Sequence, residues 1–269
     1  LTKSTYTPTD PLFNLQFGLK NTKQFNGISR EDIQTERVWN QEIFGKNVPV
    51  AVLSDGCYSE HLDISPNFDL EHSWNYYTWE NDPKHVNSSA SHRGTEFAGI
   101  VAASGNNICT IGVAPLAKIS CFNIENENRT SRNVLDSITR GNNYFRVKLL
   151  GMLERCGTIC EHKPLDKELH DALSNSPETV NFVAPAGADA FLGGDTNFFP
   201  LNRDPRVIVI SDSNHRGAHS SWSNRGTSIL ANAPVGGSSS FDTDTFPSMP
   251  GLGVDSNTSC QDEVNPVGA

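Results

Sequence analysis

Val48-Pro49-Val50-Ala51-Val52-Leu53-Ser54-Asp55-Gly56 is the stretch that decides the fold. Residues 48–53 form an apolar run, broken only by Pro49, that stops at Ser-Asp-Gly. Such a run predicts a strand buried on both faces and closed by a tight turn. A strand without polar alternation must be covered on both sides, and the flanking segments supply the covers. Residues 94–103 are small and apolar, with Phe97, Ile100 and Val101 at helical spacing, and predict a buried helix. Residues 130–138 predict another, with Val134, Leu135 and Ile138 on one side, and Leu165, Leu169 and Leu173 mark a third at i, i+4, i+8. Further strands are predicted at 118–124, 180–184, 207–211 and 228–231, while residues 146–153 fit either helix or strand. Ser29 with Asp32 resembles a capping box opening a short helix to Trp39, and residues 65–92 read as loop. Strands alternating with helices imply an α/β class with a doubly wound, mainly parallel sheet flanked by helices. No internal repeat or low-complexity linker divides the chain. One domain over residues 1–269 is expected, with 1–30 as a wrapped N-terminal arm and 236–269 as a Ser/Gly/Asp-rich, loop-rich tail.

Composition narrows the function. The 269 residues carry 21 Lys plus Arg against 31 Asp plus Glu, a formal net charge of −10. That balance excludes a nucleic-acid partner bound through its phosphate backbone, which needs a basic surface. Mean hydropathy is −0.43, and with no 18-residue apolar stretch a membrane partner is not expected either. A charged fraction of 19% together with 14 Phe argues against disorder. The chain opens at Leu1 without a basic-then-apolar leader, as a processed or trimmed form would. Its 6 Cys fit a secreted or extracellular, disulfide-bearing protein. Sequons begin at Asn87, Asn128 and Asn257.

Three segments carry a specific pattern. The first is 50–56, with His61-Leu62-Asp63 and Asn67-Phe68 after it. The second is Arg93-Gly94-Thr95-Glu96-Phe97-Ala98-Gly99 through Ala103, then Gly112-Val113-Ala114-Pro115. The third is Ser221-Trp222-Ser223-Asn224-Arg225-Gly226 with Ala233-Pro234 and Gly236-Gly237. In order and spacing they resemble the subtilisin-like serine endopeptidases, and among them the kexin-like branch. Asp10-Pro11-Leu12-Phe13, Leu19-Lys20-Asn21-Thr22 and Trp39 are similar to that branch's N-terminal arm. The resemblance fades between about residues 126 and 178.

The resemblance implies a serine nucleophile, a histidine base, an aspartate that orients it and an asparagine that donates to the oxyanion. The matching positions do not supply them. Ser54 stands in place of the aspartate, Arg93 of the histidine and Ala188 of the asparagine. A hydroxyl offers no counter-charge to an imidazolium, a guanidinium is not deprotonated in a protein, and a methyl has no donor. The nucleophile's position falls at or beyond Ala269, so the C-terminal part of the fold is expected outside this chain. Asp55 and His92, each one residue from the matching position, form an alternative pair if a bulge absorbs the slip; otherwise Asp55 is a turn residue and His92 a loop residue. Ser259, in Thr258-Ser259, is the alternative nucleophile, or an ordinary loop serine.

By the same resemblance, Asn142, Asn143 and Tyr144 match a substrate-binding strip, or form a plain loop. A structural Ca2+ is implied at Asp10, Asp63 and the loop holding Ser104, Asn107 and Ile108, an oxygen-rich set suited to that ion. Glu80, Asn81 and Asp82 are expected as another, weaker candidate for such a site. A disulfide between Cys109 and Cys260 is implied as well. Cys156 and Cys160 either pair locally or bind metal with His162, and Cys57 and Cys121 are expected as buried free thiols. Three functions follow. One is an inactive member that binds a peptide or protein partner. Another is an active calcium-dependent endopeptidase using Asp55, His92 and a nucleophile at or past the C-terminus. The third is an incomplete fragment.

Overall fold

The computed structural model describes residues 6–84, 93–125, 129–152, 161–162 and 166–235. The strands are β1 (Pro49–Ser54), β2 (Trp74–Asn75), β3 (Lys118–Asn123), β4 (Val147–Leu150), β5 (Asn181–Pro185), β6 (Val207–Ser213) and β7 (Ile229–Pro234). The helices are α1 (Thr35–Trp39), α2 (Arg93–Ala102), α3 (Ser131–Thr139), α4 (Lys167–Ser174) and α5 (Pro200–Arg203). One seven-stranded sheet runs β2-β3-β1-β4-β5-β6-β7, and every neighbouring pair is parallel.

β1 is central, and its two-residue period sorts its side chains onto opposite faces. Ala51 and Leu53 enter a core with Phe122, Ile138, Leu150, Leu173 and Phe182. Val50 and Val52 enter the other, with Ile64, Ala98, Ala102 and Ile119. α3 and α4 therefore cover one face and α2 the other. The chain leaves β1 to form β2 and β3 on one side, then crosses to β4 on the other. That reversal opens a crevice at the carboxyl ends of β1, β3 and β4, the usual place for a site in such a sheet.

Residues 146–153, open between helix and strand in the sequence, contribute β4. The hesitation traces to Lys148, a cation inside an apolar run and fully buried. Its ammonium donates to the carbonyls of Ser137 (3.0 Å), Ile138 (2.8 Å) and Arg140 (2.7 Å). Three donors thus meet three acceptors at the end of α3, where the helix leaves carbonyls without partners and the dipole favours a cation. Burial pulls the amine's pKa down to about 7. Phe13 and Leu19 pack with Trp39 and Ile111 in a third small core. The Ser29 box is not formed; α1 starts later, and Asp32 instead accepts from the Gln34 N–H at 2.8 Å.

One expectation fails outright. Cys57 and Cys121 are not free thiols but a buried disulfide, with Cα atoms 5.9 Å apart. β1 and β3 are neighbours, so the turn after Asp55 returns its cysteine onto the face of β3, a proximity no sequence spacing announces. Cys109 is also disulfide-bonded. Its expected partner Cys260 lies outside the described residues, as do Cys156 and Cys160.

Candidate functional site

β1 delivers Ser54 and Asp55 to the crevice, both buried. The Asp55 carboxylate accepts from the Gly94 N–H at 2.7 Å and the Arg93 N–H at 3.2 Å. It therefore caps the first turn of α2, satisfying donors that a helix leaves open. This contact demands glycine at two places. A Cβ on Gly94 would strike the Gly56 carbonyl, and Gly56 itself sits at φ +98° against the Pro83 carbonyl. The Ser54 hydroxyl lies 3.4 Å from Asp55 Oδ1.

Arg93 opens α2, and its guanidinium is held by two carboxylates. Its Nε lies 3.7 Å from Asp55 Oδ2, and a terminal nitrogen pairs with Glu125 Oε2. Glu125 follows β3, is fixed by its N–H to the Ser54 carbonyl at 3.2 Å, and meets Arg129 at 3.7 Å. Glu96, one turn along α2, is half-buried beside them; desolvation first, then the charge of Asp55, raises its carboxyl pKa against the opposing Arg93. The crevice thus holds a chain of ion pairs where the resemblance implies a base and its orienting acid. The Arg93 guanidinium among them does not give up its proton, so it cannot serve as a base.

Ala188 lies in the loop after β5, beyond Gly187 at φ +97°. The loop is braced by the fully buried Asn224, whose Nδ2 donates to the Ala186 carbonyl at 3.0 Å and whose Oδ1 accepts from Asp189 N at 2.9 Å. Both ends of that amide are engaged inside the protein. Met152, Pro185, Ala186, Gly187, Phe199, Leu201 and Asn202 line a small cavity alongside.

The other expected residues divide into three groups. His92 and Ser259 lie outside the described residues. Asn142, Asn143 and Tyr144 fall in the turn ahead of β4, at the amino end of that strand, whereas Ser54, Asp55 and Glu125 stand at carboxyl ends. Sheet polarity separates them from the crevice: Asn142 Nδ2 donates to Ser176 Oγ at 2.7 Å and the Tyr144 hydroxyl to Asp69 Oδ2 at 2.7 Å. The third group is brought together. Asp10 Oδ1 accepts from Asn106 N at 3.0 Å and Asn107 N at 3.1 Å. Ser104 N donates to the Asp63 carbonyl at 2.7 Å, and Thr110 donates to Asp63 Oδ2 through N and Oγ1, each at 3.2 Å. Asp10 Oδ2 and Asp63 Oδ1 are buried without a hydrogen-bond partner among the described residues. Burial raises the Asp63 pKa to about 7, with the charge of Asp10 adding to it, and burial raises that of Asp10 too.

Residues 45–150 match the model of the Subtilase family. The fold agrees. A crystal structure of a serine protease of Aeromonas sobria superposes with a TM-score of 0.79 at 22% identity, over 94% of this chain and 47% of that one. Fervidolysin from Fervidobacterium pennivorans, a keratinolytic enzyme related to subtilisin, gives 0.63 at 21% identity, over 83% of this chain and 32% of that one. This is a subtilase fold. Within the subtilases the sequence is similar to kexin-like convertases. Neuroendocrine convertase 2 of Caenorhabditis elegans is 39% identical over 119 residues, 42% of this chain and 18% of the relative. Human proprotein convertase subtilisin/kexin type 4 is 33% identical over 120 residues, 44% of this chain and 15% of the relative. The chain therefore matches less than a fifth of these convertases' length.

Against the subtilase pattern, Glu125 and Met152 were not singled out from sequence. The signal for Glu125 was available: an acid at the end of a buried strand neighbouring β1 must arrive at the same crevice as Ser54. Met152 stands just past the carboxyl end of β4, and the uncertain helix-or-strand reading there hid it.

Proposed function

We propose that this chain is a subtilase-fold domain that does not cleave peptides by the subtilase mechanism and instead binds a peptide or protein partner, stabilised by calcium. The single observation that carries this reading is Arg93. It occupies the position the resemblance gives to the base, and its guanidinium is tied to Asp55 and Glu125. Asp55 is itself committed to capping α2. An Asp55–His92 pair would have to share Asp55 with both arrangements. Loss of the triad costs about 10⁶ in turnover, a figure measured in subtilisin itself.

The calcium part of the reading rests on the two orphaned carboxylate oxygens of Asp10 and Asp63. Two buried acids without a cation repel each other, and a hard divalent ion is the partner that relieves this. Among the described residues, no three His, Cys, Asp or Glu side chains gather as a metal-binding group. The set the resemblance implies is instead two carboxylates with Asn107 and the backbone of Ser104 and Ile108, an oxygen-rich mixture that suits calcium better than zinc. Bound there, the ion would tie the arm to the loop after α2.

Secretion fits a chain with two disulfide-bonded sites, since such bonds persist in oxidising compartments. No helix among the described residues is long and apolar enough to cross a membrane. One Aeromonas sobria relative is solved in complex with a chaperone, and a protein partner for this chain is in keeping with that. The test is incubation with fluorogenic peptides, including ones with basic residues before the reporter. Hydrolysis at the buffer rate is expected; turnover that His92→Ala abolishes would overturn the reading.

A further inference from the structure

Away from the crevice, α4 carries His170 and Ser174 one turn apart. His170 Nδ1 lies 2.6 Å from Asp204 Oδ2, and Ser174 Oγ lies 3.4 Å from His170 Nε2. The Asp204 side chain is 2% exposed, the His170 side chain 41%, and Ser174 is exposed. Asp204 Oδ1 accepts from the Arg206 N–H at 2.9 Å, which fixes the carboxylate. A carboxylate only accepts, so Nδ1 must donate, and Nε2 then turns its lone pair toward the serine hydroxyl. The helix is anchored below by buried Leu169 and Leu173, which fixes the backbone that carries both His170 and Ser174. A buried acid orienting an imidazole that faces a hydroxyl is the arrangement that activates a serine, on whatever fold it occurs.

We propose that Ser174 is a covalent modification site for small acyl donors with a good leaving group, with His170 as general base and Asp204 as positioning residue. Ser174 Oγ bonds to the ester carbonyl carbon while its proton passes to His170 Nε2. The bond to the leaving oxygen then breaks and that oxygen takes the proton from His170. The products are acyl-serine and a free alcohol, and His170 is returned neutral. The next N–H groups along the chain are already engaged, Asn175 N with the Asp171 carbonyl and Ser176 N with that of Leu173. The backbone after Ser174 therefore offers no oxyanion cradle, and release of the acyl group is slow. The site acylates once rather than turning over. Its place on an exposed helix face suits small activated esters, not extended peptides.

The test uses the full chain with p-nitrophenyl acetate, reading nitrophenolate release and mapping the acetyl group by mass spectrometry. One equivalent on Ser174 is expected, at a rate about 10²-fold above other serines. Ser174→Ala should remove the burst. His170→Gln, on the exposed side of the pair, should slow it about 10²-fold with circular dichroism unchanged, and Asp204→Asn should slow it without moving the label. An undiminished burst in Ser174→Ala, or acetyl groups spread over lysines with none on Ser174, would overturn the proposal.

Discussion

Arg93 sets what the crevice can do. Its side chain is a quarter exposed, and it balances two carboxylates that are nearly buried, 5% for Asp55 and 11% for Glu125. Arg93→Leu should therefore destabilise the protein by about 1–3 kcal/mol, because it leaves those acids facing each other; the urea midpoint would show it. Arg93→His should lose part of this stability and still give no peptide hydrolysis, since Ser54 and Ala188 remain. Lys148 gives a second test. Lys148→Ala strips the end of α3 of its donor and opens a cavity, and should cost about 2–4 kcal/mol in chemical denaturation. Burial lowers the folded-state pKa of Lys148 from 10.5 to about 7. Between those values the unfolded chain binds the proton and the folded chain releases it. The lysine's contribution is least favourable below about pH 7 and improves as pH rises toward 10.5. The stability of the wild type relative to Lys148→Met should accordingly rise over that interval, and a flat difference would contradict it.

The Cys57–Cys121 bond ties the turn after β1 to β3 across a sequence separation of 64. Closing a loop of that length stabilises by about 4 kcal/mol in the chain-entropy model, so Cys57→Ala/Cys121→Ala should lower the denaturation midpoint accordingly. The wild type denatured in the presence of a reductant, which reaches this buried bond on unfolding, should match that variant. Elements of this kind show what the sequence makes legible. β1, α2 and β3 were readable because burial on both faces writes itself as an apolar run or as small residues at helical spacing. β2 was not: its two residues, Trp74 and Asn75, are too few to carry a period. The pairing of Cys57 with Cys121 and the meeting of Arg93 with Glu125 were also illegible. Each depends on which strands lie side by side, and that order is set by the whole sheet. Asp10 and Asp63 could be named from the resemblance, whereas their orphaned oxygens needed coordinates.

For the whole molecule, the arm and the loop after α2 meet at two buried acids, and an ion bound only to the folded state stabilises it by mass action. A chelator should lower the melting temperature, calcium at about 100 times its dissociation constant should restore about 2.7 kcal/mol, and Asp63→Asn should blunt the response. An unchanged melting curve in excess chelator would remove the ion. The crevice is judged most directly by reaction with a serine-directed fluorophosphonate, comparing wild type with His92→Ala and locating any label by mass spectrometry. With Arg93 tied to Asp55 and Glu125, no labelling that depends on His92 is expected, and a label on Ser174 should persist in that variant. Stoichiometric labelling of another serine, abolished by His92→Ala, would contradict the inactive crevice and establish an Asp55–His92 pair at work.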